Sequence, residues 1–433
     1  MKALQKAGFA LATLVAALVP VALLAVLPGW ALLAVLAVLI AWIAFTRTGR
    51  QTSAVATVAI ATLPQRLGAA SVVIIGIAGV VGVLVALLAM GAGFEATLKR
   101  TGTDDTVIVM ASGAQSEIQS LLNRDTVAAV VQAPQVRQNA SGEPIVSPEL
   151  VVTASFQKRA SGKASVEIRG VGERVWELRP NVKIIAGRPL RPGLAELIVG
   201  RRVSERFIGM IVGTNLVVNG QRWTVAGIFD SEDAHNSEIW ADAGALASPF
   251  HRGSNLTSVT LQLTQAAALD AFKARIASDP RLKVDVQTTR QYYNGQSESI
   301  APIIHTLGTT VGVIMAIGAI FGALNTMYAA ISTRAREIAT LRAIGFHGGP
   351  VVVSVLLETL ILALCGGALG ATIAWALFDG FTASSMGILF AFRVSPTLLW
   401  NGLKWALAIG LIGGLFPAIR AARMPITAGL RET

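Results

Sequence analysis

The sequence holds one cysteine, Cys365, and four histidines in 433 residues. A single thiol excludes an intrachain disulfide and a zinc site built on paired cysteines. Charge is scarce too, at 14% of residues against the roughly 25% of an ordinary soluble domain. With 53% of the residues hydrophobic, that shortage excludes a chain exposed to water throughout and points to an integral membrane protein. Nucleotide-binding signatures are missing as well. No GxxxxGK[ST] occurs, since Gly162-Lys163 is followed by Ala164 and lacks the earlier glycine; a phosphate cradle needs that backbone. Nor is there a GxSxG elbow or an HExxH pair to carry hydrolytic chemistry.

What charge there is lies unevenly. Residues 95–300 hold 23 Lys+Arg and 21 Asp+Glu, leaving 13 and 4 for the rest of the chain. The middle is therefore near neutral, and the basic excess belongs to the apolar parts. Those basic residues flank apolar runs instead of clustering with aromatics, which argues against a nucleic-acid footprint and for membrane orientation.

Six apolar segments stand out, at about 8–27, 30–45, 70–92, 303–331, 350–378 and 398–419. All but the second reach the ~20 residues that cross a bilayer. Pro28-Gly29 separates the first two, a turn signal that makes them a hydrophobic hairpin. A signal-peptide reading of the first 20 residues is the alternative, but the apolar stretch continues to Phe45. The expected fold is membrane α-helical: four core transmembrane helices, an N-terminal hairpin, and a large extracytoplasmic mixed α/β domain. Its expected divisions are a hairpin over 1–45, a cytoplasmic segment over 46–69, a first core span over 70–94, the α/β domain over 95–300, and a permease region over 301–433. That last region holds three spans, a loop at 332–349 and a cytoplasmic C-terminus.

Arg47, Arg50 and Arg66 precede the third apolar segment. Arg334, Arg336 and Arg342 lie between the fourth and fifth, and Arg420, Arg423 and Arg431 follow the sixth. All nine share one side if the termini are cytoplasmic, as the positive-inside bias requires. Residues 95–300 then lie outside, as does the short 380–397 loop.

Within 95–300, "VVTASF", "TSVTLQL" and "VDVQTT" alternate as strands do, and "AALDAFKARIAS" carries an apolar helical face. Asn219-Gly220, between two apolar runs, is a strong hairpin turn signal. Gly187, Gly193, Gly200 and Gly213 are expected at turns. His235 and His251 are isolated, and the scattered acidic residues read as a solvated face. A binding, docking or force-transmitting module fits better than an enzyme.

The segment "ISTRAREIATLRAIGF", residues 331–346, places Arg334, Arg336, Glu337 and Arg342 between two apolar runs. Arg334 stands three residues before Glu337, on one helix face. Spacing alone leaves two readings open: a helix that presses on a partner, or a basic anchor. Among residues in the spans, Glu358 is the one candidate for a polar path, and pairing with an arginine is the expected use. Gly318 and Gly322 form a GxxxG, suited either to packing inside one subunit or to dimerisation.

The segment resembles the coupling element of MacB/FtsX-type (type VII) ABC transporter permeases, R-x-R-E-I-x-x-L-R-A-I-G. Arg334, Arg336, Glu337, Ile338, Leu341, Arg342, Ala343, Ile344 and Gly345 match it in order. "FPAIRAARMPITAGLRE" is similar to that family's closing motif through Pro417, Ala418, Ala421, Ala422, Pro425, Ala428, Leu430, Arg431 and Glu432, with Gly429 as an added residue. A third stretch, "ELIVGRRVSERFIGMIVGTNLVVNGQRWTVAGIF", looks like part of its outer domain. The resemblance covers about 65–433, and the 1–45 hairpin stands outside the usual four-span layout.

The resemblance implies a permease subunit without its own enzymatic activity or cofactor, ATP and magnesium being bound by a separate ABC ATPase. Arg334, Arg336, Glu337, Ile338, Leu341, Arg342 and Gly345 would couple to that ATPase. Pro417, Arg420, Arg423, Pro425 and Arg431 would form the cytoplasmic C-terminal motif. It further implies mechanotransmission, export from the periplasm of a bacterial inner membrane, a second permease copy or sibling, surrounding lipid, and a periplasmic adaptor (membrane fusion protein). Lipoprotein release is the alternative within the family. A membrane-anchored sensor or scaffold acting on an envelope enzyme is the alternative outside it.

Overall fold

The structure, a computed structural model, describes residues 29–61, 67–385 and 388–426. The first apolar segment, Arg66 and Arg431 lie outside the described residues. The chain divides into two compact units. One comprises residues up to Met90 with Ile304–Gly380 and everything from Arg393; the other comprises Gly91–Ile303 with Phe381–Phe392.

Seven helices matter for the first unit: α1 (Gly29–Phe45), α2 (Arg47–Ala61), α3 (Leu67–Lys99), α4 (Thr289–Thr333), α5 (Ala335–Ala343), α6 (Gly348–Phe378) and α7 (Pro396–Arg423). Of these, α3, α4, α6 and α7 are long and apolar enough to cross a membrane. The residues of α3 from Gly91 and of α4 up to Ile303 belong to the second unit. Both α3 and α4 outrun their apolar segments into polar residues, 93–99 in α3 and 289–302 in α4, the latter running through Gly295 and Pro302.

Glycines set how closely the spans approach. A Cβ on Gly410 would stand 2.5 Å from Ala363 Cβ, so α7 can lie against α6 only without one. Gly312 meets Leu84 of α3, and Gly413 meets Ala323 of α4, in the same way. Gly318 and Gly322 behave otherwise: nothing lies within 4 Å of where their Cβ atoms would be. The GxxxG is thus not used for packing among the described residues of this chain.

The second unit is built on one sheet of ten strands: β1 (Thr106–Ala111), β2 (Val146–Gln157), β3 (Lys163–Val171), β4 (Lys183–Gly187), β5 (Glu196–Gly200), β6 (Asn215–Val218), β7 (Gln221–Asp230), β8 (Ile239–Asp242), β9 (Ser258–Gln262) and β10 (Val284–Thr288). The order is β10-β1-β9-β2-β3-β8-β5-β7-β4, with β6 added on β7. Pairings are antiparallel except β3–β8 and β5–β7. The β6–β7 hairpin turns at Asn219 (φ 50°) and Gly220 (φ 80°), as that dipeptide's tolerance of positive φ demands. Gly200 is not a turn residue: its φ is −60°, and the Asn236 backbone sits where its Cβ would be.

Alternation along β3 sends Val166 and Ile168 into a core with Leu150, Val152, Leu197 and Trp223. The outer loop at 380–397 holds a hairpin that sequence reading did not foresee, β11 (Thr382–Ser385) paired with β12 (Ile388–Ala391). Leu389 is 2% exposed and joins the same core. Its carbonyl accepts from Arg202 Nη1 (2.9 Å) and Ser237 Oγ (2.6 Å). Phe390 meets Phe94 edge to face at 5.3 Å. The short apolar run I-L-F-A carries the signal, but Arg202 and Ser237, which bind its Leu389 carbonyl, lie about 150–190 residues away in sequence, beyond the reach of local pattern.

Candidate functional site

The charged segment becomes a separate short helix because α4 ends at Thr333 and Arg334 leaves helical geometry (φ −106°, ψ 10°). Arg334 then turns inward. Its Nη1 donates to Glu358 Oε2 of α6 at 3.0 Å, and its Nε donates to Glu337 Oε2 at 3.2 Å. The Arg334 and Glu358 side chains are only 10% and 7% exposed. Glu358 therefore has the arginine partner that a carboxylate in an apolar helix requires.

Ile338 follows Arg334 inward, into a cluster with Met327 and Ile331 of α4, Val351 and Val355 of α6, and Ala418 and Ala421 of α7. Arg342 Nη1 donates to the Met424 carbonyl just past α7. One face of α5 is thus fastened to three other helices. The opposite face is exposed among the described residues: Arg336, Glu337, Thr340, Ala343 and Gly345 are exposed, and Ile344 is 69% exposed. Leu341 is half-buried and, with Arg336, Glu337, Phe346 and Val351, lines a groove of about 700 Å³ that Ala54 of α2 also borders.

Gly345 ends the helix in the left-handed region (φ 105°). Its N–H donates to the Arg342 carbonyl, and the Phe346 N–H donates to the Leu341 carbonyl. That pairing is the Schellman closure, which favours glycine at this position. The glycine of the motif is explained by backbone geometry and by no contact of its own.

At the C-terminal motif, Pro417 is buried inside α7, Pro425 is exposed, and Arg420 places its guanidinium 5.3 Å from the centre of the Tyr328 ring. Arg423 is exposed. Sequence reasoning passed over Ile344 as a site residue and the Arg342–Met424 bond. The first was visible as an apolar residue beside a helix-ending glycine; the second required the end of α7 to be brought alongside.

A second constellation contradicts the reading of scattered surface charge. Arg169 is 1% exposed, and Glu117, Glu149 and Glu238 are buried around it. Its five N–H groups make five bonds. Nε reaches Glu238 (2.8 Å), Nη1 reaches Glu117 and Glu149 (2.7 Å each), and Nη2 reaches Glu117 (2.9 Å) and Glu238 (2.8 Å). Arg179 braces Glu149. Burial pushes the Glu149 carboxyl up, but Arg179 and Arg169 prevail and hold it near 2. Burial likewise opposes Asp233, which the His235 ring and three hydrogen bonds bring down to about 2. Their residues come from distant stretches of chain, so no spacing rule groups them. Among the described residues no group of three or more His, Cys, Asp or Glu is arranged to hold a metal.

Two family descriptions match in tandem: MacB-like periplasmic core domain over residues 69–279 and FtsX-like permease C-terminal over 309–426. Macrolide export ATP-binding/permease protein MacB 1 of Aeromonas hydrophila is 24% identical over 66% of this chain and 46% of its own length. The MacB protein of Hahella chejuensis is 22% identical over 71% of this chain and 48% of its own. The chain thus spans about half the length of these curated relatives. The uncharacterized ABC transporter permease YknZ of Bacillus subtilis is 23% identical over 80% of this chain and 90% of its own length. With both domains in order around four apolar helices, the chain belongs to the MacB/FtsX-type ABC transporter permeases.

Proposed function

We propose that this permease subunit works by mechanotransmission, with α5 as the coupling helix that receives ATP-driven movement from a separate ABC ATPase. ATP and magnesium are held by that partner. The observation that carries the reading is the two-sidedness of α5. Arg334, Ile338 and Arg342 fasten one face to α4, α6 and the end of α7, while Arg336, Glu337 and Ile344 stand exposed on the other. A mere basic anchor has no need of a buried ion pair or an apolar underside. A helix held this way passes a push to several spans together, a rigid-body mode of switching.

Of the residues assigned to ATPase coupling, Arg336 and Glu337 suit direct contact, joined by the exposed Ile344, and Arg334, Ile338, Arg342 and Gly345 suit support. A second permease copy covers the α4 face bearing Gly318, Gly322, Leu307, Ile314 and Phe321, all exposed here. In a bacterial inner membrane the Gly91–Ile303 unit would face the periplasm and drive substrate export with an adaptor. The MacB relatives, described as macrolide exporters, favour this branch over lipoprotein release.

The test is ATPase stimulation in reconstituted membranes. Substituting Glu337→Arg together with Ile344→Asp lowers permease-dependent hydrolysis and leaves the second unit folded. Unchanged stimulation refutes the coupling assignment.

A further inference from the structure

The β3 strand places Glu167 on the same side of the sheet as Arg169, two residues on. Glu167 is half-buried and lines a cavity of about 40 Å³ with Glu117, Glu238, Tyr292, Tyr293 and Gln296. The last three lie on the 289–303 stretch of α4, which belongs to the same unit as the sheet. That stretch is tied down by polar contacts. The Glu117 N–H donates to Tyr292 Oη at 3.2 Å, and Tyr293 Oη lies 3.3 Å from His235 Nε2, whose ring in turn meets Asp233.

Charges from every neighbouring element face this region: Glu117 from the 117–119 turn, Glu149 from β2, Arg169 from β3, Arg179 beyond the 175–178 helix, and Asp233, His235 and Glu238 before β8. Glutamates outnumber arginines. All five donors of Arg169 are already committed to Glu117, Glu149 and Glu238, the full complement a guanidinium owns. Arg179 binds Glu149. Among the described residues no hydrogen bond or ion pair reaches the Glu167 side chain, so an ionised carboxylate there would be a half-buried charge beside Glu117 and Glu238.

We propose that Glu167 is a proton-binding site whose neutral form latches the 289–303 stretch of α4 onto the sheet. The ligand is the proton itself. The cavity has room for about one water molecule, enough to carry a proton in and out. Burial, with the Glu238 charge adding to it, pushes the Glu167 carboxyl up to about 8. When the 289–303 stretch lifts, Glu167 meets solvent and returns to an ordinary carboxylate. Lifting therefore releases a proton wherever the closed form holds one and the open form does not. The latch is fully engaged below about pH 4.5 and weakens as pH rises toward about 8, above which the effect levels off. The extracytoplasmic side of a membrane, where external pH varies, is where such a latch would be felt.

The experiment is hydrogen exchange of the full chain in lipid nanodiscs from about pH 5 to pH 9, corrected for intrinsic exchange, beside the Glu167→Gln variant. Gln mimics the neutral carboxyl. In the wild type the opening equilibrium of residues 292–303 should rise up to about tenfold per pH unit until about pH 8 and then flatten. In the variant that component of the slope should vanish, leaving tight protection at about pH 8. Identical profiles overturn the proposal. Should the variant fail to fold, infrared spectroscopy of the wild type decides. A protonated carboxyl present at about pH 7 and lost near pH 8 upholds the site, and its absence overturns it.

Discussion

Removing the Glu358 carboxylate tests how α5 is held. Arg334 and Glu358 meet at 3.0 Å with side chains 10% and 7% exposed, so water screens the pair little. Deleting one partner of a buried pair costs about 3–5 kcal/mol, because the other charge is left uncompensated. In Glu358→Ala, Arg334 keeps Glu337 at 3.2 Å, but that carboxylate is 53% exposed and offers only about 0.5 kcal/mol. The net loss is about 3 kcal/mol, roughly a hundredfold rise in local opening. Hydrogen exchange of residues 334–346 in nanodiscs reads this directly. Glu337→Ala should shift the same peptide only about twofold. The exchanged pair Arg334→Glu with Glu358→Arg should recover most of the loss. If Glu337→Ala matches or exceeds Glu358→Ala, the inward pair is not what fastens the helix, and the reasoning fails.

Other outcomes follow from neighbouring geometry. Leu389→Ala should destabilise the Gly91–Ile303 unit by about 2–4 kcal/mol, as for other fully buried leucines; a thermal unfolding midpoint unchanged from wild type would detach the β11–β12 hairpin from that core. Gly345→Ala should cost about 1–2 kcal/mol through its left-handed backbone, read as faster exchange at the end of α5 with no effect on distant peptides. Glu149, held near 2 in the fold against 4.5 when free, adds stability that is present above about pH 4.5 and lost as pH falls toward 2, about 3 kcal/mol in all. Acid titration of unfolding should show that loss, and Arg179→Gln should shrink it.

The spans, the α/β class and the β6–β7 hairpin were legible because each rests on local pattern. Twenty apolar residues, a period of two, or Asn-Gly between two strands each speak within a short window. The charged segment was legible as a helix with an Arg334–Glu337 pair for the same reason. Its orientation was not. Ile338 and Arg334 read equally well as partner contacts until α6 and α7 supplied Glu358, Val355 and Ala418 on one side. The Arg169 cluster was hidden most completely, since strand alternation marks Glu167 and Arg169 as polar and therefore outward. The helical stretch at 289–303 and the turn at 117–119 cover that face of the sheet instead. Gly318 and Gly322 differ again: their spacing announced a packing motif, and its partner is absent from the described chain.

The most direct measurement is co-purification of the tagged full chain from its native membranes, wild type beside Arg336→Glu/Ile344→Asp, with ATP hydrolysis assayed on each preparation. Coupling through the exposed face of α5 predicts a stoichiometric ATPase subunit with the wild type. Loss of that subunit by about tenfold or more is expected for the variant, the scale of a contact hot spot, with hydrogen exchange elsewhere unchanged. A chain that emerges alone, or a variant that retains its ATPase in full, would contradict it.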